Sequence, residues 1–193
     1  MHRVCVFCGS SLGSRSIFAD AAAALGRELA GRSLGLVYGG AKVGLMGVVA
    51  DACLEAGGNV IGVMPEALVA KEIAHTGLPD LRVVGSMHER KAFMADLSDA
   101  FIALPGGFGT LEEFCEVLTW TQLGVHLKPC GLLDVDGYYR PLLDLFDRGV
   151  KEGLLRDDNR RLVLTAAEPG ALLDRLAAWE PVVVPKWLGP DET

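Results

Sequence analysis

Apolar residues along this chain fall in short unbroken runs, separated by longer stretches in which they recur every third or fourth position. That is the pattern of buried strands alternating with amphipathic helices. The runs predict strands at about Arg3–Cys8, Leu34–Tyr38, Asn59–Met64, Arg82–Val84, Ala100–Leu104, Pro129–Leu133 and Arg161–Thr165. Between them the spacing predicts helices over about Ser16–Gly31, Gly44–Ala56 and His88–Leu97. Further helices follow the glycine turn at 105–107 as far as Leu123, and span Tyr138–Gly149 and Ala171–Trp179. In the first, Ile17, Ala21, Ala24, Leu25 and Leu29 share one side. Strands apolar on both faces must be covered on both faces, so the expected class is α/β, a three-layer Rossmann-like fold with a mostly parallel central sheet. Residues 1–180 read as a single domain, and Pro181–Thr193, with its three prolines, as a tail that crosses a surface or a partner.

Composition narrows the partners. A chain of 193 residues with half its residues apolar and 24 glycines builds one compact core. The net charge of -7 argues against a broad nucleic-acid surface. No basic start leads into a long apolar segment, so the expectation is a cytoplasmic protein without a membrane partner. Five cysteines, at 5, 8, 53, 115 and 130, form no even-numbered disulfide framework. Cys5 and Cys8 stand three apart on a strand and therefore face opposite sides, as buried thiols rather than a redox or metal pair. Cys8, near the strand's end, is placed to line a pocket. His2, His75, His88 and His126 show no metal-site spacing.

In a parallel sheet of this kind ligands bind beyond the carboxyl ends of the strands, where the strand order reverses. Three segments qualify: Gly9-Ser10-Ser11, Gly39-Gly40-Ala41-Lys42 and Pro105–Thr110. The first turn lacks the three-glycine dinucleotide fingerprint. The second is no Walker loop, because its lysine precedes the final glycine and no Lys-Ser or Lys-Thr pair follows. Gly39 and Gly40 then serve a tight turn and Gly44 and Gly47 close helix packing, with Ser10 and Lys42 as candidate ligand contacts.

The segment Pro105-Gly106-Gly107-Phe108-Gly109-Thr110-Leu111-Glu112-Glu113 is the most informative. A buried strand feeding a glycine turn and then a helix leaves N–H groups free for a phosphate. The carboxylates that follow would not help hold an anion, so the substrate should carry phosphate at one end and develop positive charge at the other. Thr110 and Glu113 also spell a capping box, which would explain the pair by helix stability alone. Leu111, Phe114, Cys115 and Leu118 mark an apolar flank, leaving Glu113 and Glu116 at its edge, facing a cleft. Upstream, Met87-His88-Glu89-Arg90-Lys91 opens a helix in which Arg90 offers a planar fork to a phosphate or carboxylate and Lys91 a mobile point charge; the alternative is a solvated basic pair.

Gly9-Ser10-Ser11, Tyr38-Gly39-Gly40, Gly44-Leu45-Met46-Gly47, Met87–Lys91, Pro105–Glu113, Thr119-Trp120-x-Gln122-Leu123-Gly124, His126-x-Lys128-Pro129 and Gly137-Tyr138-Tyr139 occur in an order that resembles the Lonely Guy family from about Val4 through Trp179. These are cytokinin riboside 5'-monophosphate phosphoribohydrolases, also labelled lysine decarboxylases, although no pyridoxal-phosphate lysine constellation is identifiable in the chain. The resemblance implies a nucleotide-binding catalytic domain, without a cofactor, that hydrolyses the N-glycosidic bond of purine nucleoside 5'-monophosphates, AMP included, to free base and ribose 5-phosphate. It implies Arg90 and Glu113 as catalytic residues and Pro105, Gly106, Gly107, Gly109 and Thr110 as the phosphate turn. Glu116 is a candidate acceptor for a ribose hydroxyl, and Ser10, Lys42, Met87 and Lys91 are further substrate contacts. It also implies a homodimer paired through helices beside the active site. The competing classes are a nucleotide-binding or sensing protein without catalysis and, more distantly, a molybdenum-cofactor carrier.

Overall fold

The computed structural model describes residues 1–69 and 74–181. Seven strands form one sheet: β1 (Arg3–Phe7), β2 (Gly35–Tyr38), β3 (Val60–Pro65), β4 (Asp80–Val84), β5 (Ala100–Ala103), β6 (Cys130–Leu133) and β7 (Val163–Ala166). Every neighbouring pair is parallel and the order is β4-β3-β2-β1-β5-β6-β7, so the α/β, Rossmann-like expectation holds. The winding reverses between β1 and β5, where Val6 lies between Tyr38 on one side and Ile102 on the other.

Strand alternation feeds two cores. Val4, Val6 and Cys8 point into a cluster with Leu25 and Leu29 of α1 (Ser16–Gly31), Leu45 and Val49 of α2 (Gly44–Glu55) and the leucines of α8 (Pro169–Ala177). Cys5 and Phe7 point the other way. They meet Met94 of α4 (Met87–Asp96), Phe114 and Val117 of α5 (Phe108–Leu123) and Leu143 of α6 (Arg140–Lys151). Cys5 and Cys8 thus lie in opposite cores. Two single-turn helices, α3 (Glu66–Val69) and α7 (Asp157–Arg160), are too short for apolar periodicity to reveal.

Several boundaries differ from the sequence reading for local reasons. α6 starts at Arg140 because Tyr138 and Tyr139 belong to a turn in which Asp136 and Gly137 hold left-handed backbone, φ 52° and 74°. α8 starts at Pro169, whose fixed φ suits the first helical position. Cys115 is exposed: the buried stripe of α5 runs through Thr110, Phe114, Val117 and Thr121, one position away from the expected flank. Within the tail, residues 182–193, with Pro185 and Trp187, lie outside the described residues. No helix among the described residues is long and apolar enough to cross a membrane.

α1 and α2 cross where Gly26 has no side chain. A Cβ there would lie 2.4 Å from the Val49 carbonyl oxygen and 2.9 Å from the Cys53 nitrogen. Backbone cannot yield as a side-chain tip can, so Gly26→Ala must separate the helices. A loss of about 2 kcal/mol or more is expected in urea unfolding, the range for overpacking a dense core; an unchanged midpoint would show that the crossing is loose.

Candidate active site

The segments leaving β1 and β5 touch at the reversal point. The Gly9 N–H donates to the Pro105 carbonyl at 3.1 Å, and the Gly9 carbonyl accepts from Leu45 N–H at 3.0 Å, which ties the start of α2 to the same place. Glycines make the approach possible. A Cβ on Gly106 would fall 2.1 Å from Thr110 Oγ1, and one on Gly44, at φ +59°, 2.2 Å from the Ser10 carbonyl carbon. Gly44 and Gly47 therefore accommodate loop backbone, Gly47 lying against the Lys42 carbonyl, rather than a second helix.

Beyond this junction opens a cleft of about 390 Å³. It is lined by Cys8, Gly9, Ser10 and Met46, by Met87 and Arg90 of α4, and by the first turns of α5. Gly107 is the N-cap of α5, so Phe108, Gly109 and Thr110 are its first helical residues and their N–H groups have no intrahelical partner. Such amides, with the positive end of the helix behind them, are suited to hold an anion. Thr110 consequently does not cap the helix, and the capping-box alternative for Thr110 and Glu113 is corrected. A Ser-x-x-Glu cap occurs instead on α4, where Ser86 Oγ accepts from Glu89 N–H at 3.1 Å and the Glu89 carboxylate accepts from Gly85 N–H at 2.8 Å.

That cap sets the start of α4 and hence the place of Arg90. Arg90 Nη1 meets Glu113 Oε1 at 3.1 Å, and the two side chains are only 12% and 14% exposed. Arg90 Nε donates to the Val63 carbonyl at 3.1 Å, and Nη1 also approaches Met87 Sδ at 3.2 Å. Gly39 makes room, because a Cβ there would sit 2.0 Å from Nη2. Glu113 stands three residues after Thr110 and four before Val117, so it projects from the inner side of α5 into the cleft. Burial raises its carboxyl above the ordinary value, and the Arg90 guanidinium opposes that rise.

The remaining candidates separate into two groups. Ser10, Met87, Gly107, Gly109 and Thr110 line the cleft with Arg90 and Glu113. Lys91 does not: its Nζ lies 2.6 Å from Glu112 Oε1 and 3.0 Å from Glu116 Oε1, so Lys91 and Glu116 are held together on the flank. This rules out a solvated basic pair. It also offsets the repulsion between Glu112 and Glu116, which stand four apart on α5. Pro105 and Gly106 line a neighbouring hollow, and Lys42 is exposed and outside the lining of both. Met46 and Gly39 carried no chemical signal in the sequence, since a buried-face methionine and a turn glycine have simpler uses.

The arrangement defines a doubly wound, Rossmann-like α/β protein whose cleft pairs helix-terminal amides with a buried arginine–glutamate couple. Solved structures share the architecture. The molybdenum cofactor carrier protein of Chlamydomonas reinhardtii superposes with a TM-score of 0.69 at 25% identity over 92% of this chain and 99% of that one. The molybdenum cofactor binding protein of Rippkaea orientalis gives 0.69 at 21%, over 92% and 96%. Residues 46–176 match the family model described as possible lysine decarboxylase. A probable cytokinin riboside 5'-monophosphate phosphoribohydrolase of Oryza sativa subsp. japonica is 53% identical over 174 residues, 90% of this chain and 78% of the relative. The cytokinin riboside 5'-monophosphate phosphoribohydrolase of Arabidopsis thaliana compared here is 52% identical over 180 residues, 93% and 79%. The chain belongs to this family, the Lonely Guy family of the sequence resemblance. No lysine among the described residues lines the cleft, so its described lining offers no amine for a pyridoxal-type linkage.

The Arg90–Glu113 couple has a measurable signature. Removing the guanidinium removes the main influence that lowers the Glu113 pKa, while burial continues to raise it. In Arg90→Gln, the Glu113 carboxyl carbon should titrate at higher pH than in the wild type by NMR. An unmoved titration would mean that the two groups are not coupled.

Proposed function

We propose that this protein hydrolyses the N-glycosidic bond of cytokinin riboside 5'-monophosphates, and of AMP, to the free adenine-type base and ribose 5-phosphate. The observation that carries the reading is the ionic couple Arg90–Glu113, largely buried in a cleft that the amide-rich first turn of α5 also lines. Relatives about half identical over nine-tenths of the chain bear the cytokinin riboside 5'-monophosphate activity in their names.

The chemistry follows from charge. Breaking C1'–N9 sends the bonding electrons to the base and leaves oxocarbenium-like positive charge on the ribose. In this reading the Glu113 carboxylate stabilises that charge and orients the water that adds its hydroxyl to C1'; the remaining proton goes to the base. Arg90 keeps Glu113 ionised against its burial and fixes its direction. The first-turn amides of α5 with Ser10 and the Thr110 hydroxyl hold the phosphate, so remote binding energy sets C1' against the carboxylate. Lys91 and Glu116, bound to each other, brace α4 against α5 in this scheme, and Lys42 takes no part. Because the Glu113 pKa is raised, activity requires a pH above the ordinary glutamate range and is lost on acidification.

Glu113→Gln keeps the shape and removes the charge. It should lower single-turnover base release about a hundredfold or more, a loss of roughly 3 kcal/mol of transition-state stabilisation, while nucleotide affinity falls much less. Base release at the wild-type rate by the folded variant would overturn the assignment. Chromatographic detection of base and ribose 5-phosphate, from AMP and from isopentenyladenosine monophosphate side by side, tests the substrate range; tight nucleotide binding with neither product would favour a sensor.

The same reading makes the protein a cytoplasmic homodimer. Five cysteines that remain free thiols suit a reducing compartment. Phe108, 93% exposed, and the exposed Met87 stand at the cleft mouth on α5 and α4, an apolar rim suited to a two-fold, self-complementary contact. Light scattering should give twice 20.5 kDa; a fully active monomer would remove the dimer requirement.

A further inference from the structure

The motif Gly137-Tyr138-Tyr139 has no place in the chemistry above, yet both hydroxyls reach the glycine turn. Tyr139 Oη donates to the Leu104 carbonyl at 2.6 Å, and Tyr138 Oη donates to the Gly106 carbonyl at 2.6 Å. Between them, the Pro105 carbonyl accepts from Gly9 N–H at 3.1 Å, and the next carbonyl, of Gly107, accepts from Leu111 N–H at 3.1 Å. Four successive carbonyls of the turn are therefore engaged. The amides of Gly106, Gly107, Phe108 and Gly109 have no acceptor among the described residues.

The orientation of one peptide follows from its planarity. In a trans peptide the carbonyl of Gly106 and the N–H of Gly107 point in opposite directions. Tyr138 lines a largely apolar hollow of about 320 Å³ beside the cleft and does not line the cleft itself, whereas Gly9, Ser10 and Gly107 border both. Holding the Gly106 carbonyl toward Tyr138 accordingly turns the Gly107 N–H away from Tyr138, leaving it to the cleft that Gly107 also borders. Flanked by glycines, that peptide has little steric resistance to rotating, and a rotated peptide would present a carbonyl oxygen to an anion.

Tyr138 is itself held. Its ring packs edge-on against Phe18 at 5.8 Å and against Tyr139 at 5.1 Å. Asp136 of the same turn pairs with Arg15 at 2.6 Å, and the Tyr139 N–H donates to Asp134 Oδ1 at 2.6 Å. The turn is thereby tied to the loop after β1 as well as to the loop after β5.

We propose that Tyr138 is a positioning residue that fixes the Gly106–Gly107 peptide so that its N–H serves a phosphate monoester. This rests on the proposed function for the identity of the ligand, although its test does not need turnover. Binding of ribose 5-phosphate and of adenosine, which lacks the phosphate, is measured by calorimetry on the full chain and on Tyr138→Phe. The variant keeps both ring contacts and loses only the hydroxyl. Ribose 5-phosphate should bind about tenfold more weakly, the size of one lost neutral hydrogen bond. Adenosine binding and the melting temperature should stay at wild-type values, and the Gly107 amide should lose its phosphate-induced 15N shift. With nucleotide as substrate, KM should rise more than kcat falls.

Equal ribose 5-phosphate affinity in the two proteins would overturn the assignment. So would a wild type that does not bind ribose 5-phosphate, or a variant that loses adenosine equally. A Tyr138-dependent affinity in a protein that cleaves no nucleotide would sustain the positioning role and overturn the proposed hydrolase.

Discussion

A carboxylate and a guanidinium that are each about seven-eighths withdrawn from water constrain much of what surrounds them. Neither Arg90 nor Glu113 would be tolerated ionised at that depth without the other, because the penalty for an unpaired buried charge exceeds most single favourable interactions in a domain. Each neighbour has a corresponding task. Ser86 caps α4 and sets the phase at which Arg90 leaves it; the Val63 carbonyl at the end of β3 takes the Nε proton; Gly39 leaves room for Nη2. The buried stripe Thr110, Phe114, Val117 fixes the rotation of α5 and so the direction of Glu113. An ion pair of this kind contributes little to net stability, and its retention is better understood as specifying one geometry.

The sheet supplies the second half of the arrangement. Because winding reverses between β1 and β5, two loops emerge side by side with no crossover helix above them, and glycines let their backbones meet. The molybdenum cofactor proteins share this frame at low identity, so the frame alone says nothing about chemistry. What the cleft can do depends on which side chains reach it from α4 and α5.

How much of this was legible in the sequence depended on distance along the chain. Strands apolar on both faces and helices with three-to-four spacing announced the α/β alternation, and the opposite orientations of Cys5 and Cys8 followed from a period of two. The glycine turn before Glu113 was likewise a local signal. Local signals were ambiguous where two explanations shared one spelling: Thr110 and Glu113 also fitted a cap, yet Gly107 holds that position and places both residues inside the first turns. Relations between distant residues were not legible. Nothing near Lys91 indicates that it closes on Glu112 and Glu116, and nothing near Tyr138 that its hydroxyl meets a carbonyl 32 residues earlier. Such pairs are decided by how α4 sits beside α5 and how the turn around Asp136 and Gly137 meets the loop after β5, which single-segment periodicity does not encode.

The electrostatics of the cleft bear on how an acidic protein of net charge -7 would accommodate the phosphate ester of the proposed function. The cations in and beside it are already committed: Arg90 in the cleft to Glu113, and Lys91 on the flank to two carboxylates. Two positive groups thus face three negative ones, and in the proposed function the phosphate would be left to neutral donors, the first-turn amides of α5 and the hydroxyls beside them. Dipoles fixed by the backbone hold an anion without bringing a cation near the ribose. That separation matters for the proposed reaction, since a mobile lysine close to C1' would oppose the positive charge that develops there, whereas an excess of carboxylate favours it. Under the proposed function, binding and catalysis make opposite electrostatic demands within one cleft, and the chain's backbone amides suit the one and its carboxylate side chains the other.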